Sequence, residues 1–149
     1  MLRVRKLLES DWEFLPKWWD EYDQEPWIHT ENFRDIMPGA FLIGEYDTKR
    51  AGLGGFMVCK DDHPIAAMWL GLTNSHCALP TAAISDPEYR DKDRKKAIEL
   101  LINTAEGMCK QAGKKRMFSI GRNKGLIETH KKLGWSVDPD PSYEIIKNI

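Results

Sequence analysis

The sequence predicts an α/β domain of the α+β type, with a mixed, mostly antiparallel central sheet and helices on both faces. Three consecutive segments between residues 55 and 84 have the composition of strands. An amphipathic helix then separates the third segment from a further strand at residues 116–120. A strand–helix–strand unit is normally parallel with a right-handed crossover, so both kinds of pairing are expected. With 149 residues, we expect one domain over residues 1–149.

The first strand and two helices are predicted from the N-terminal third. Leu2-Arg3-Val4-Arg5 alternates apolar and polar residues, which is typical of a short strand. Ser10 and Asp11 can cap a following helix, and Pro16 either kinks this helix or moves its start to about residue 15. A second short helix is expected at residues 30–37. One face of the first helix carries Trp12, Leu15, Trp19 and Tyr22.

The middle of the chain predicts a β-hairpin and a third strand. Apolar runs at residues 55–60 and 64–70 flank a short polar turn. The third strand covers residues 77–84 after a second turn. Pro80 removes one backbone donor from this strand, which fits a bulged or splayed strand edge.

The last third predicts two helices and further strands. Pro87 is expected to open a long helix, and Gly113 to end it. Residues 123–133 form a second amphipathic helix, and Val137 and residues 143–146 supply final strands. The apolar stripe of the long helix consists of Ile98, Leu101, Ile102, Ala105, Met108, Cys109 and Ala112.

Bulk composition argues against several classes of protein. Lys plus Arg number 22 and Asp plus Glu 23, so the net charge of −1 gives no reason to expect a nucleic-acid partner. No apolar run approaches the ~18 residues of a membrane span, and residues 1–6 lack a signal-peptide core, so we expect a cytoplasmic protein without a membrane partner. Three scattered cysteines indicate neither a disulfide framework nor a metal site.

Two stretches of the second half carry a family resemblance. The first reads Asp86-Pro87-Glu88-Tyr89-Arg90-Asp91-Lys92-Asp93-Arg94-Lys95-Lys96-Ala97. It resembles the pyrophosphate-binding strand–loop–helix of the GNAT superfamily of N-acetyltransferases, usually Arg/Gln-x-x-Gly-x-Gly/Ala. Backbone N–H groups at a helix N-terminus, with the helix dipole, hold an anion there. Pro87 and Tyr89-Arg90 match, whereas Asp91 stands at a frequent glycine position, and Asp93 and Lys95 replace the two glycines of the motif.

The second stretch is Asn123-Lys124-Gly125-Leu126-Ile127-Glu128-Thr129-His130-Lys131-Lys132-Leu133-Gly134-Trp135. It resembles a later helix of the same superfamily, often Asn-x-x-Ala-x-x-x-Tyr-x-Lys-x-Gly-Phe. His130 stands where the superfamily often has the tyrosine that protonates the coenzyme A thiolate. A histidine can do this work because it ordinarily titrates near neutral pH. The alternative is that His130 is an ordinary surface residue of the helix.

The resemblance covers about residues 53–135 and implies a function. It implies acetyl transfer from acetyl-CoA to a primary amine of a small molecule or peptide, with His130 as the catalytic acid. Pairing into a homodimer through C-terminal strands is common in the superfamily. The residues expected to contact the cofactor are Ala83, Ile84, Arg90, Asp91, Lys92, Asp93, Arg94, Lys95 and Asn123.

The sequence does not identify the general base or the acceptor site. The strand before the loop lacks the carboxylate that many such enzymes use, so solvent, His76 or an acid of the N-terminal helices can take the proton. An acidic and aromatic cluster near residue 20 suits a cationic amine, or is a solvated acidic face over a tryptophan core. This cluster comprises Trp18, Trp19, Asp20, Glu21, Asp23, Glu25 and Trp27.

The alternative hypothesis is a protein without catalytic activity. The missing glycines and the missing strand carboxylate are also expected of a GNAT-shaped binding module that has lost the cofactor. The basic residues between Arg90 and Lys96 can otherwise be a nucleic-acid patch, but Asp91 and Asp93 between them argue against it. His29 and His63 have no neighbours at metal-ligand spacing and are expected at the surface or in turns.

Overall fold

A computed structural model describes residues 1–22, 33–39, 41, 48–143, 145 and 147. Its strands are β1 (Leu2–Lys6), β2 (Gly55–Lys60), β3 (His63–Leu72), β4 (Cys77–Ser85) and β5 (Arg116–Met117). Its α-helices are α1 (Leu15–Tyr22), α2 (Asp93–Gln111) and α3 (Lys124–Lys132). Short 3₁₀ helices cover Glu9–Glu13, Phe33–Ile36 and Thr48–Arg50.

The five strands form one sheet in chain order. Strands β1 to β4 pair antiparallel with their neighbours, and β5 pairs parallel with β4 after the α2 crossover. The predicted mixed, mostly antiparallel sheet is therefore confirmed, with helices on both of its faces.

The core lies on both faces of the sheet. On one face the apolar stripe of α2 packs against β2, β3 and β4, and Leu133 and Trp135, which follow α3, join the edge of this cluster. On the other face α1 and the first 3₁₀ helix cover a tryptophan-rich cluster. Trp18 and Trp19 belong to this second core, with 5% and 6% of their surfaces exposed.

Gly52 closes the tryptophan-rich face. Its carbonyl accepts hydrogen bonds from the indole N–H groups of Trp12, at 3.1 Å, and Trp69, at 2.8 Å. Its φ is 73°, and a Cβ at this position would lie 2.4 Å from the Trp12 ring. The position therefore requires glycine for both its backbone conformation and its space.

Asp11 joins β1 to the helices rather than capping α1. Its buried carboxylate accepts two hydrogen bonds from Arg5, at 2.7 and 2.8 Å, and one from the Leu8 N–H at 2.8 Å. Residues 9–13 consequently form a 3₁₀ helix, and α1 begins at Leu15, as Pro16 allowed. Of the predicted helix at 30–37, residues 33–36 are 3₁₀, and 30–32 lie outside the described residues.

Two other predicted boundaries were wrong. Helix α2 begins at Asp93 instead of Pro87, because Asp86 and Pro87 lie in a turn in which the Tyr89 N–H donates to the Asp86 carbonyl at 3.2 Å. Strand β5 ends at Met117 instead of Ile120, and Ile120 is exposed. Val137 is in no strand, nor are residues 143 and 145, while Glu144 and Ile146 lie outside the described residues.

Candidate functional site

The sheet opens between its two parallel strands. Strand β4 pairs with β5 only through Cys77 with Arg116 and Ala78 with Met117. The Phe118 N–H adds one bond to the Ala78 carbonyl at 2.9 Å. Residues 79–85 of β4 continue past the end of β5, and on this side they have no strand partner among the described residues. An open strand edge thus leads directly to the turn before α2.

A β-bulge lies in the middle of this open stretch. Ala67 pairs with Ile84 and Trp69 with Thr81, so Ala82 and Ala83 together oppose one residue of β3. Ala82 has a φ of 54°, in the left-handed region that costs a non-glycine residue about 1–2 kcal/mol. Bulges of this kind bend a strand and re-aim its groups, and they are frequent beside active sites.

Hydrogen bonding shows which peptide groups face the opening. The Asp86 N–H donates to the Ile65 carbonyl of β3 at 2.7 Å. Peptide groups alternate in direction along a strand, so those of Ile84 face β3 and those of Ser85 face the open edge. Pro80 shares the direction of Ala78, whose carbonyl faces β5. Its missing N–H therefore costs no bond to β3, and the splayed edge that Pro80 suggested is present.

The turn between β4 and α2 is not helical, and Asp91 organises it. The Asp91 carboxylate accepts the Lys92 N–H at 2.6 Å, and its carbonyl accepts the Arg94 N–H at 3.1 Å. The first N–H groups of any helix lack acceptors within the helix, and here they belong to the stretch that begins at Asp93. Amides of this first helical turn therefore lack acceptors within the helix, although Asp91 already engages two of the amides between residues 90 and 95.

Lys60 compensates the acidic side chains of this turn. Its ammonium nitrogen lies 2.5 Å from an Asp93 carboxylate oxygen and 3.9 Å from one of Asp91. The hydrogen bond from Lys60 lowers the pKa of Asp93, and the same bond raises the pKa of Lys60. Lys60 comes from the end of β2, and sequence reasoning missed it because no local pattern links it to α2.

Arg94 anchors the start of α2 to the end of β4. Its Nε donates to the buried Ser85 hydroxyl at 2.8 Å, and burial lowers the pKa of this guanidinium. Arg94 thus holds the turn instead of projecting into solvent. The exposed basic side chains around the turn are Arg90, Lys92, Lys95 and Lys96.

Helix α3 holds Asn123 and His130 in defined positions. The Asn123 side-chain oxygen accepts the Leu126 N–H at 3.0 Å, so this residue caps the helix. The His130 Nδ1 lies 2.8 Å from the Leu126 carbonyl, and its half-buried ring meets the Trp135 ring edge-on at 4.7 Å. A carbonyl only accepts, so Nδ1 carries a proton in this hydrogen bond, and Nε2 is the ring nitrogen that this bond does not engage. Asparagine before an amphipathic run was a sequence signal for the cap.

The candidate bases are separated from the turn or undescribed. His76 precedes β4, at the end opposite Asp86, and its carbonyl accepts the N–H groups of Lys115 and Arg116. Of the acidic and aromatic cluster, Trp18 and Trp19 are core residues, and the side chains of residues 20 and 21, with residues 23, 25 and 27, lie outside the description.

His63 is a further residue that sequence reasoning did not connect to the turn. It begins β3, and the β3–β4 ladder brings it beside the residues after β4. Its Nε2 lies 3.6 Å from an Asp86 carboxylate oxygen, and its ring stacks on Tyr89 at 5.7 Å. Among the described side chains, no three of the His, Cys, Asp or Glu type come close enough together to hold a metal ion.

Comparison with solved structures identifies the fold. A GCN5-related N-acetyltransferase from Ralstonia eutropha JMP134 aligns with a TM-score of 0.66 at 18% identity, covering 97% of this chain and 99% of the other. The PaiA N-acetyltransferase from Thermoplasma acidophilum, in complex with coenzyme A, aligns with a TM-score of 0.61 at 17% identity, and the alignment covers 95% of this chain and 93% of the other.

An aminoglycoside acetyltransferase from an uncultured soil metagenomic sample, in complex with trehalose, aligns with a TM-score of 0.64 at 10% identity, and the alignment covers 99% of this chain and 97% of the other. The chain has the GNAT fold. No protein-family model matches the sequence, and no curated protein sequence matches it. None of the helices in the described part of the chain combines the length and the apolar character that crossing a lipid bilayer requires.

Proposed function

We propose that this protein is an acetyl-CoA-dependent N-acetyltransferase that acts on a primary amine of a small molecule or peptide. The observation that carries the proposal is the opening between β4 and β5, which leads to a non-helical turn at the start of α2. An extended cofactor arm fits an open strand edge, and a diphosphate fits backbone N–H groups at a helix N-terminus.

The chain's own residues suit these two parts of the cofactor. The N–H groups between residues 90 and 95 and the Arg90 side chain would hold the diphosphate. Ala83 lies in the bulge, and the outward direction of the Ser85 peptide favours Ser85 over Ile84 for backbone pairing. Lys60 reduces the repulsion that Asp91 and Asp93 would exert on the phosphates.

Acetyl-CoA supplies an acetyl group on a thiol leaving group. As the amine forms its C–N bond and the C–S bond breaks, the departing sulfur requires a proton. The Nε2 of His130 would deliver it from the imidazolium form, in which both ring nitrogens carry a proton, and the ring would be left neutral with its Nδ1–H still bonded to the Leu126 carbonyl. The amine proton leaves to solvent or to an acidic side chain of the N-terminal helices. Orientation of the amine against the acetyl group contributes the larger share of the rate.

A second candidate function is a GNAT-shaped binding module without catalysis. Asp91 favours it, because this carboxylate engages the Lys92 N–H that a diphosphate would need. Asp91, Asp93 and Lys95 also place a Cβ where the superfamily often has glycine.

Titration with acetyl-CoA separates the two functions. A ligand that binds the folded state raises the melting temperature, and we expect this rise with acetyl-CoA and with coenzyme A. Absence of a shift at millimolar acetyl-CoA would favour the binding module. His130→Phe should keep the shift and slow turnover by about 10²-fold or more. Equal turnover in the variant and the native protein would remove His130 from the mechanism.

A further inference from the structure

We infer that a second cleft, on the α1 face of the sheet, binds a small zwitterion with an apolar side chain, of the α-amino acid class. The cleft has a volume of about 480 Å³, within the range of small-molecule sites. The described residues that line it are Phe14, Lys17, Trp18, His63, Pro64, Asp86, Pro87 and Glu88.

One side of the cleft is aromatic and already in place. The Phe14 and Trp18 rings lie 5.0 Å apart in a tilted arrangement. Trp18 belongs to the core and is 5% exposed, so its ring position is fixed by packing. Pro64 and Pro87 add rigid apolar surface. Trp18 itself exposes little surface, so an apolar side chain would bury mainly against the partly exposed Phe14, Pro64 and Pro87, whose fixed positions lower the cost of binding.

Two carboxylates stand on the turn after β4. The Asp86 side chain is 16% exposed, and one of its oxygens accepts the Glu88 N–H at 2.9 Å. The other oxygen lies 3.6 Å from His63 Nε2. Asp86 is therefore ordered before any ligand arrives, and Glu88 is exposed beside it. We expect the ammonium group of the ligand to lie beside these two carboxylates.

A cation on a different element completes the pattern. Lys17 comes from α1, whereas both carboxylates come from the turn after β4. A ligand that carries an ammonium and a carboxylate beside an apolar group matches all three surfaces. A phosphorylated ligand is disfavoured, because Asp86 and Glu88 would repel it.

The cleft is distinct from the proposed diphosphate site but shares its turn. Lys17 and Trp18 belong to the face covered by α1, whereas the diphosphate site lies at the start of α2 on the opposite face. The binding inference does not require acetyl transfer. A ligand in this cleft is therefore either the amine that becomes acetylated or a molecule that only stabilises the turn after β4.

Matched ligands test the inference by calorimetry. L-phenylalanine should bind the native protein, and 2-phenylethylamine, without the carboxylate, should bind about fivefold more weakly or worse. The same loss is expected for 3-phenylpropanoate, which lacks the ammonium group. Lys17→Met should remove the preference over 2-phenylethylamine only, and Asp86→Asn the preference over 3-phenylpropanoate only.

Controls keep the result interpretable. The asparagine of Asp86→Asn retains an oxygen for the Glu88 N–H, so the turn is preserved, and unchanged melting without ligand verifies this. Lys110→Met, on the exposed side of α2, should leave all three affinities unchanged. Absence of L-phenylalanine and L-leucine binding at millimolar concentration overturns the inference, as does L-phenylalanine binding that neither Lys17→Met nor Asp86→Asn alters.

Adding acetyl-CoA distinguishes the two kinds of occupant. Formation of the N-acetyl amino acid, detected by mass spectrometry, identifies an acceptor. Amino acid binding without product identifies a ligand that is not acetylated, and both results support the site. A native protein that binds L-phenylalanine but not acetyl-CoA would contradict the proposed enzyme function while leaving this site intact.

Discussion

Lys60 alters the charge of the turn between β4 and α2. The turn before α2 contains Asp91 and Asp93 at positions where glycine, which has no Cβ, would let the backbone approach an anion more closely. Lys60 contacts both carboxylates, so their charge is partly neutralised. The proposed diphosphate site depends on this neutralisation, because an anion beside uncompensated carboxylates would be repelled.

Replacing Lys60 tests this compensation. Lys60→Met should weaken coenzyme A binding by about three- to tenfold, because both carboxylates are then uncompensated. Adding Asp93→Asn in the same chain should restore most of the affinity. Lys6→Met, on the exposed end of β1, is the matched control and should have no effect. Equal dissociation constants for Lys60→Met and the native protein would exclude the compensation.

The same pair has a defined pH dependence. Since Lys60 lowers the pKa of Asp93, the pair stabilises the fold above the ordinary aspartate pKa, and this stability is lost as pH falls through the lowered value. On the alkaline side, the raised pKa of Lys60 extends the stabilisation upward until that group deprotonates. The difference in melting temperature between the native protein and Lys60→Met should therefore be constant near neutral pH and vanish in strong acid.

Ala82 stores backbone strain in the bulge of β4. Ala82→Gly should raise the free energy of unfolding by about 0.5–1 kcal/mol, because relief of the left-handed strain exceeds the entropy that glycine adds to the unfolded chain. Urea denaturation measures this change. Ala83→Gly, next to it and without a positive φ, should instead destabilise by about 0.5–1 kcal/mol. Destabilisation by both substitutions would contradict the strain.

At the scale of elements, the boundaries of α2 and α3 decide what the site contains. Helix α2 starts late because the β3–β4 ladder extends to Asp86 and a turn follows it. Helix α3 starts at its asparagine cap, which places His130 two turns into the helix beside Trp135. The first boundary opens the proposed diphosphate site, and the second fixes the orientation of the histidine.

The cap gives Asn123 a structural role that is separable from ligand contact. Asn123→Ala should lower the free energy of unfolding by about 1 kcal/mol, whereas Asn123→Asp should keep most of it, since a carboxylate oxygen can accept the Leu126 N–H. Thermal denaturation without ligand measures both variants. If Asn123→Ala melts like the native protein but loses coenzyme A affinity, its role is ligand contact instead of capping.

For the whole molecule, the Arg5–Asp11 pair connects the sheet to the helical cover of its tryptophan-rich face. Asp11 is 2% exposed and accepts three hydrogen bonds, so it has no access to solvent as a substitute partner. Arg5 lies on β1, and the bond to Asp11 raises the pKa of its guanidinium. The pair therefore holds the first 3₁₀ helix, which leads directly into α1, against the sheet.

Breaking this pair should cost more than any other single change discussed above. Arg5→Met should destabilise the fold by about 3–5 kcal/mol, because it leaves a buried carboxylate without its cation. The double variant Arg5→Met with Asp11→Leu should recover part of this loss. Chemical denaturation gives both values, and a loss below about 1 kcal/mol for Arg5→Met would show that Asp11 finds another partner.

Much of the fold followed from the sequence alone. Alternation predicted β1, apolar runs predicted β2 to β4, and the apolar stripe of α2 predicted the helix that covers one face. These patterns are local, because burial of one face imposes a period of two on strands and 3.6 on helices. The resemblance of the turn before α2 to a phosphate-binding motif was equally readable from consecutive residues.

The tertiary structure alone decided which side chains share a site. Lys60 meets Asp93, and His63 meets Asp86, because the ladder between β2, β3 and β4 brings the ends of these strands together. It also decided that β5 separates from β4 after two paired residues, which creates the opening. Such contacts depend on strand register and on side-chain packing between distant segments, and neither leaves a periodic trace in the sequence.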